Sequence, residues 1–459
     1  MNPKVDAWLD SHKEEIIRSL QEIIAIPSVK GEPAPNAPFG KEVRDSLDYA
    51  LGLAGKFGFA PTDMDGYIGY ADFGKGEDLV GVLCHLDVVP AGVGWKYPAF
   101  GGEIHDERIY GRGALDDKGP AIAALYAMAA VKECGLEPKR RVRLILGCDE
   151  ESGMQCLDYY CKHGEIPMMS FSPDAEYPLV NSEKHNFTAY FAMPYASSIR
   201  VEAGERTNVV PGEATAIVPL SLSRILPIME AYMEKSDFGC AAVAVDPEAS
   251  KITVKGLNAH ASLPEQGRNA LLGLLDLLDK LPLPEADAKA VADLHAILGL
   301  YYNGQPFGLD KTDASGRLTH NIGVMRWGEE GIESMSIDIR APISMTREDL
   351  ETGLQNKLCP IGMKMLRSGF TKGYCQPRDS ELVSKLLDVY SARTGEKAEP
   401  LAIGGGTYAR HLPNAVAFGC EIPGHEAFVH MPDEYVSIED LMFNVKVLAD
   451  AIIALSLAE

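Results

Sequence analysis

The chain has 459 residues, 46% hydrophobic and 24% charged, with 43 basic against 66 acidic side chains and a net charge of -23. That acidity argues against nucleic acid as a partner, because phosphate contacts need a basic surface. The length points to two to four domains with cores large enough to fold without disulfides or a structural metal.

Nine irregularly spaced cysteines with no C-x-x-C pair read as reduced thiols of a cytoplasmic protein. The opening Met1-Asn-Pro-Lys-Val-Asp lacks the apolar stretch of a secretory leader. No uncharged apolar run approaches the length of a membrane span, so no membrane partner is expected. The spacing of Trp8, Leu9, Ile16, Ile17, Leu20, Ile23 and Ile24 predicts one amphipathic helix, ended by Pro27. Leu79 to Cys84 predicts a strand buried on both faces. A helix should start near Lys118, with Pro120 tolerated in its first turn, and stop near Gly135. Val142 to Leu146 predicts a second buried strand. Strands alternating with helices imply a mostly parallel α/β sheet, whose ligands bind beyond the carboxyl ends of the strands.

From about Phe187 the pattern changes. Phe187 to Met193, Ala216 to Leu222, Lys251 to Val254, Leu318 to Trp327 and Ser334 to Arg340 predict strands. In the last, Met335, Ile337 and Ile339 alternate with Ser336, Asp338 and Arg340, which predicts one wet face. Asn269 should cap a helix running to Lys280. Residues 187–373 therefore read as an α+β insertion in an α/β domain made of 1–186 and 374–459. In the returning segment, Glu381 to Thr394 predicts a helix, Gly404-Gly405-Gly406 a loop, and Ser437 the cap of a closing helix to Leu457. No internal repeat or low-complexity tract occurs.

Chemistry-bearing residues cluster where such a sheet would place a site. His85 and Asp87 follow the first buried strand, and Asp149-Glu150-Glu151 follows the second. Asp116-Asp117, Asp174 and His430 complete the set. Each piece alone has a plainer reading. Paired aspartates favour a helix N-terminus, an acidic run is often a solvated turn, and a lone histidine is more often structural. Together His85, Asp116, Glu151, Asp174 and His430 offer enough imidazole and carboxylate donors for two divalent ions, leaving Glu150 as a proton carrier. Glycines crowd these residues at 111, 113, 119, 147 and 153.

The strings Cys84-His85-Leu86-Asp87, Gly111-Arg112-Gly113-Ala114-Leu115-Asp116-Asp117-Lys118-Gly119-Pro120 and Asp149-Glu150-Glu151-Ser152-Gly153 resemble the aminoacylase, carnosinase and glutamate-carboxypeptidase family of di-metal hydrolases. Gly256-Leu257-Asn258-Ala259-His260-Ala261-Ser262, Gly404-Gly405-Gly406-Thr407-Tyr408-Ala409-Arg410 and His430-Met431-Pro432-Asp433-Glu434 fit the same pattern. Phe171-Ser172-Pro173-Asp174-Ala175-Glu176 is similar to the bacterial dipeptidases of the peptidase V type.

The resemblance implies a di-metal catalytic domain with an inserted lid. His85 and Asp174 would hold one ion and Glu151 and His430 the other, with Asp116 bridging both. Zinc is the first expectation, with manganese and cobalt as alternatives. Asp87 would accept a hydrogen bond from the far nitrogen of His85, and the Asp116–Asp117 peptide would be cis. Glu150 would serve as general base and then general acid for attack by a bridging hydroxide. From the lid, His260 would stabilise the oxyanion. Arg340 would clamp the substrate's terminal carboxylate, helped by Asn208 and the Gly406 N–H. Aspartate at position 174 resembles aminopeptidases and dipeptidases; carboxypeptidases and desuccinylases tend to carry glutamate there.

The implied activity is hydrolysis of small unblocked dipeptides by a monomer, with a homodimer as the alternative. Two rivals stand beside it: an amidohydrolase or carboxypeptidase acting on N-acyl amino acids, and a non-catalytic binding protein. His185 and the residues between Pro423 and His430 depart from the pattern's commoner forms.

Overall fold

A computed structural model describes residues 1–457. The chain forms two compact units. The first comprises Met1–Asn181, Gln376–Leu401 and the segment from Gly406 onward; the second comprises Ser182–Cys375 and Ala402–Gly405.

In the first unit the sheet order is Ala60–Met64, Ile68–Phe73, Arg141–Gly147, Leu79–His85, Met169–Ser172, Ala415–Ala417. The last four run parallel and the first two pair antiparallel, so this α/β sheet is mixed. Every residue of Leu79–His85 is buried, as a central parallel strand requires. The helix Lys118–Glu133 is buried from Lys118 to Val131 and packs against Ile438–Ser456 and Lys13–Ile24. Its small residues allow that close approach, and truncating Leu125 to alanine should cost about 2–5 kcal/mol. Gly119 is required at its start, because a Cβ there would lie 2.0 Å from the Ala114 carbonyl oxygen. The single N-terminal helix expected from periodicity is two, Pro3–Ser11 and Lys13–Ile24. The break is chemical: His12 Nδ1 and Ser11 Oγ both bond the Trp8 carbonyl at 2.7 Å, and the His12 ring stacks on Trp8.

The second unit is an eight-stranded antiparallel sheet. Its order is Gly239–Asp246, Ala249–Lys255, Glu213–Val218, Arg200–Ala203, Thr319–Gly328, Gly331–Ala341, His185–Pro194, Lys364–Thr371. The helices Leu222–Met233, Ala270–Leu278, Glu285–Leu298 and Arg347–Leu358 share one apolar core with it. Asn269 caps its helix by accepting the N–H groups of Leu271 and Leu272.

Two expectations are corrected here. The strand predicted to reach Leu222 ends at Val218, and Leu222 opens a helix. The supposed wet face of Ser334–Arg340 is dry: Ser336, Asp338 and Arg340 are all buried. Their polar groups are satisfied internally, Ser336 Oγ by the Val324 N–H and Arg340 by Asp338, so alternation of polarity did not mean exposure.

Candidate metal centre

The centre lies within the first unit, at the carboxyl ends of its parallel strands. His85 ends the Leu79–His85 strand, and its fully buried ring is packed edge-on by Tyr408. Its Nδ1 donates to the Asp87 carbonyl oxygen at 2.9 Å, so Nε2 is the nitrogen turned toward the acids. That Nε2 is 2.9 Å from Asp116 Oδ1 and 3.9 Å from Asp174 Oδ2. The other Asp116 oxygen is 2.9 Å from His430 Nε2, which is itself 3.1 Å from Glu151 Oε2. Asp116 therefore stands between two imidazoles, one carboxylate oxygen toward each. The five residues form two groups, His85–Asp116–Asp174 and Asp116–Glu151–His430, with donor atoms within 4.8 Å of one another.

Local backbone places these groups. The Asp116–Asp117 peptide is cis, and Asp117 Oδ2 accepts the His85 N–H at 2.9 Å. Gly113 takes φ +89° in the loop leading to Asp116. His430 sits at φ +61°, in the left-handed region that few residues other than glycine adopt. Asp149 organises the turn that presents Glu150 and Glu151. It accepts from Lys30 Nζ, Ser152 Oγ and the Gln155 N–H.

Asp87 behaves differently from the role implied by resemblance. Its carboxylate is 3.6 Å from His85 Nδ1, beyond hydrogen-bond range, and the backbone carbonyl serves that nitrogen instead. The two carboxylate oxygens accept the N–H groups of Glu150 and Glu151, each at 3.1 Å. One residue thus orients a ligand through its backbone and the proton carrier through its side chain.

The donors fit divalent cations. Tetrahedral bonds of about 2.05 Å put neighbouring donors about 3.3 Å apart, and the 2.9–3.9 Å separations here bracket that spacing. Charge agrees. Burial, then Asp117 and Asp116, pushes Asp174 well above the usual carboxylate range. Burial and neighbouring carboxylates raise Glu150 to about 8, against the lowering effect of His85. Bonds to Asp116 and Glu151 lift His430 to about 10. Buried acids crowded this closely are stable only when paired or coordinating cations.

The remaining expected residues stand as follows. His260 is exposed on the two-residue strand Ala259–His260, paired with Val209–Val210. Its Nδ1 accepts the Ser262 N–H at 3.2 Å and lies 2.6 Å from Ser262 Oγ, so Nε2 carries the ring's N–H. The Asn208 carbonyl accepts the Ala261 N–H, tying Asn208 to the same loop. Arg340 is buried. It donates Nε and Nη2 to Asp338 and Nη1 to the Gly404 carbonyl, leaving two of its five N–H groups for a ligand. His260, Asn208 and Arg340 belong to the second unit, and Gly406 to the first. A Cβ on Gly406 would lie 2.5 Å from the Arg410 guanidinium. His185, the departure noted in the sequence, bonds the Gly373 N–H through Nδ1 and the Ile343 carbonyl through Nε2. That role is internal to the second unit.

Sequence reading missed two acids. Glu421 faces Glu176 across a short parallel bridge, and burial plus Asp116 raise it to about 7. Glu434 is fully buried and bonded to the Asp116 loop. It lies inside the quoted His430–Glu434 string, but nothing in a string reveals a backbone partner 318 residues away.

Residues 81–454 match the model of peptidase family M20/M25/M40. The chain is 36% identical to a protein of Bacillus subtilis (strain 168) named "Putative dipeptidase YtjP", over 97% of this chain and 98% of that one. Human carnosine dipeptidase 1 superposes with a TM-score of 0.58 at 15% identity, covering 98% of both chains. A metallo-carboxypeptidase, Sso-CP2 of Sulfolobus solfataricus, also superposes at 0.58, with 17% identity over 95% of this chain and 98% of that one. Those two likenesses concern fold alone. With its paired donor groups and the family match over most of its length, the chain belongs to peptidase family M20/M25/M40 and is a metallopeptidase.

Proposed function

We propose that the protein is a two-metal dipeptidase that cleaves small peptides with a free amine and a free carboxylate. The observation that carries this is Asp116, held between the His85 and His430 imidazoles with Glu150 beside it. His85, Asp174, Asp116, Glu151 and His430 would hold the ions, zinc first, then manganese or cobalt. When bound, such a pair supplies an acidified water and positive charge against the scissile carbonyl.

The chain's own residues do the rest. Glu150 takes the proton from the attacking water and returns it to the leaving nitrogen, a role suited to a carboxyl whose pKa burial has drawn toward neutrality. Asp87 keeps Glu150 in place through its backbone N–H. His260 presents Nε2–H for the developing oxyanion. Arg340 offers its two remaining N–H groups to the substrate's carboxylate, with Asn208 and the Gly406 N–H as further donors. Residues 187–373 act as the substrate-binding lid that carries His260 and Arg340. A free ammonium relieves the crowding of Glu421, Glu176 and Asp116, whereas an acyl group does not. Asp174, rather than glutamate, supports the same choice.

The protein works as a monomer, and its nine free cysteines suit a reducing cytoplasm. Among the described residues no helix is long and apolar enough to cross a membrane. The test compares dipeptides, tripeptides and N-acetyl amino acids on chelated protein reloaded with zinc, manganese or cobalt in turn. Preference for the free dipeptide is expected; preference for the acylated substrate would transfer the assignment to an amidohydrolase.

A further inference from the structure

Two candidate ligands, Asp116 and His430, come from segments more than 300 residues apart; the strands Arg108–Tyr110 and Tyr435–Ser437 pair beside them, and one buried carboxylate reaches from the second segment to the Asp116 backbone itself. Glu434 is fully buried. Its Oε1 accepts the N–H groups of Gly113 and Leu115 at 3.0 Å and of Asp116 at 3.2 Å. Its Oε2 accepts Arg112 Nη1 at 2.6 Å, and its backbone carbonyl accepts the Gly111 N–H at 2.9 Å. Arg112 is itself buried, over the Trp95 ring. Next to Glu434, Asp433 sits at φ +58° and accepts the Lys96 N–H at 2.8 Å.

Three backbone N–H groups aimed at one oxygen make an anion nest of the kind that usually holds a ligand. Here the occupant is the protein's own carboxylate. The nest fixes the backbone from Gly113 to Asp116, and its anion is four residues after His430. A shift of either segment would break bonds to the other.

We propose that Glu434 is the positioning residue that sets the distance between Asp116 and His430, and with it the affinity of the Asp116–Glu151–His430 group for its ion. This rests on the two-metal reading above. Glu434 touches neither the donor atoms nor the substrate; it acts through the Asp116 backbone and through its own place in the His430 turn. The acceptor must be a carboxylate. A glutamine of the same shape presents its NH2 either to the three N–H groups or to the guanidinium, donor against donor in both cases.

The experiment titrates zinc into chelated wild type, Glu434→Gln, and the double variant Glu434→Gln with Arg112→Met, by calorimetry. Circular dichroism and urea unfolding of the chelated proteins run alongside, and the absorption of cobalt-loaded samples reports ligand geometry. Wild type should bind two ions. Glu434→Gln should keep its fold, bind the second ion about 10–100-fold more weakly, and show an altered cobalt spectrum. Its kcat should fall with KM little changed, and excess metal should restore kcat. In the double variant the amide nitrogen no longer faces a guanidinium, so its oxygen can serve the nest and part of the lost affinity should return.

Two ions bound by Glu434→Gln with wild-type affinity would overturn the proposal. So would collapse of both variants in the chelated state, which would make Glu434 a general packing residue. A wild type that binds fewer than two ions would instead sink the metal centre itself, a result separable from the first two.

Discussion

The two units hold charge in opposite ways. In the first, His85 and the acids Asp87, Asp116 and Asp117 are buried and held by backbone, with only His430 half-exposed: Asp117 accepts the His85 N–H, and Asp87 accepts those of Glu150 and Glu151. In the second, His260 is exposed on a two-residue strand, while Arg340 is buried but partly satisfied by Asp338. The first arrangement suits a centre that must not move, since a metal site tolerates little error in donor placement. The second suits groups that meet a substrate and release it.

The sharpest test of that contrast is to remove the first unit's proposed bridge and, separately, its proposed proton carrier. Asp116→Ala should abolish binding of both ions and turnover together, measured by metal analysis after dialysis and by dipeptide hydrolysis. Glu150→Ala should keep both ions and the fold yet lose kcat by about 10²–10⁴-fold. Unchanged turnover would remove Glu150 from the chemistry.

Changes in the second unit should be smaller and of another kind. His260→Ala should lower kcat by about 10²–10³-fold with metal content intact. Arg340→Lys should raise KM about tenfold for free dipeptides and little for dipeptide amides, because an ammonium cannot match a carboxylate bidentately. Equal effects on both substrates would mean that Arg340 does not read the carboxylate.

The smallest effect concerns stability. Burial draws His320 down to about 4, while its Nδ1 accepts the Gly304 N–H. The folded state therefore holds this ring neutral. Its contribution is complete above the unfolded value near 6.5 and is lost as pH falls through 6.5 toward 4, about 3 kcal/mol in all. His320→Asn, which keeps an acceptor for Gly304, should flatten that acid limb in urea-unfolding midpoints of the chelated protein.

Burial patterns carried much of the fold in the sequence. The all-apolar run at Leu79 to Cys84 is a central parallel strand, and Glu381–Thr394 is a helix with the bounds its pattern predicts. Edge strands were not legible: Lys364–Thr371 is largely exposed and carries no apolar period, and Gly239–Asp246 is exposed although its sequence is apolar, so composition marks neither as an edge. The buried polar face of Gly331–Ala341 misled for the converse reason, since an Asp–Arg pair reads as wet whether or not it is.

By itself the sequence determined the donor types and the order in which they leave the buried strands, because residue chemistry and hydrophobic period are local properties. It also carried enough of the family's strings to place the chain among its relatives. Only the tertiary structure decided that one aspartate faces two imidazoles, that Asp87 serves Glu150 with its carboxylate and His85 with its carbonyl, and that Glu434 ties Asp116 to the His430 turn. Apart from the His85 bond to the Asp87 carbonyl, those relations join residues tens to hundreds of positions apart, and the bonds to Glu150 and Asp116 have backbone partners, identical at every position and so invisible until the chain is folded.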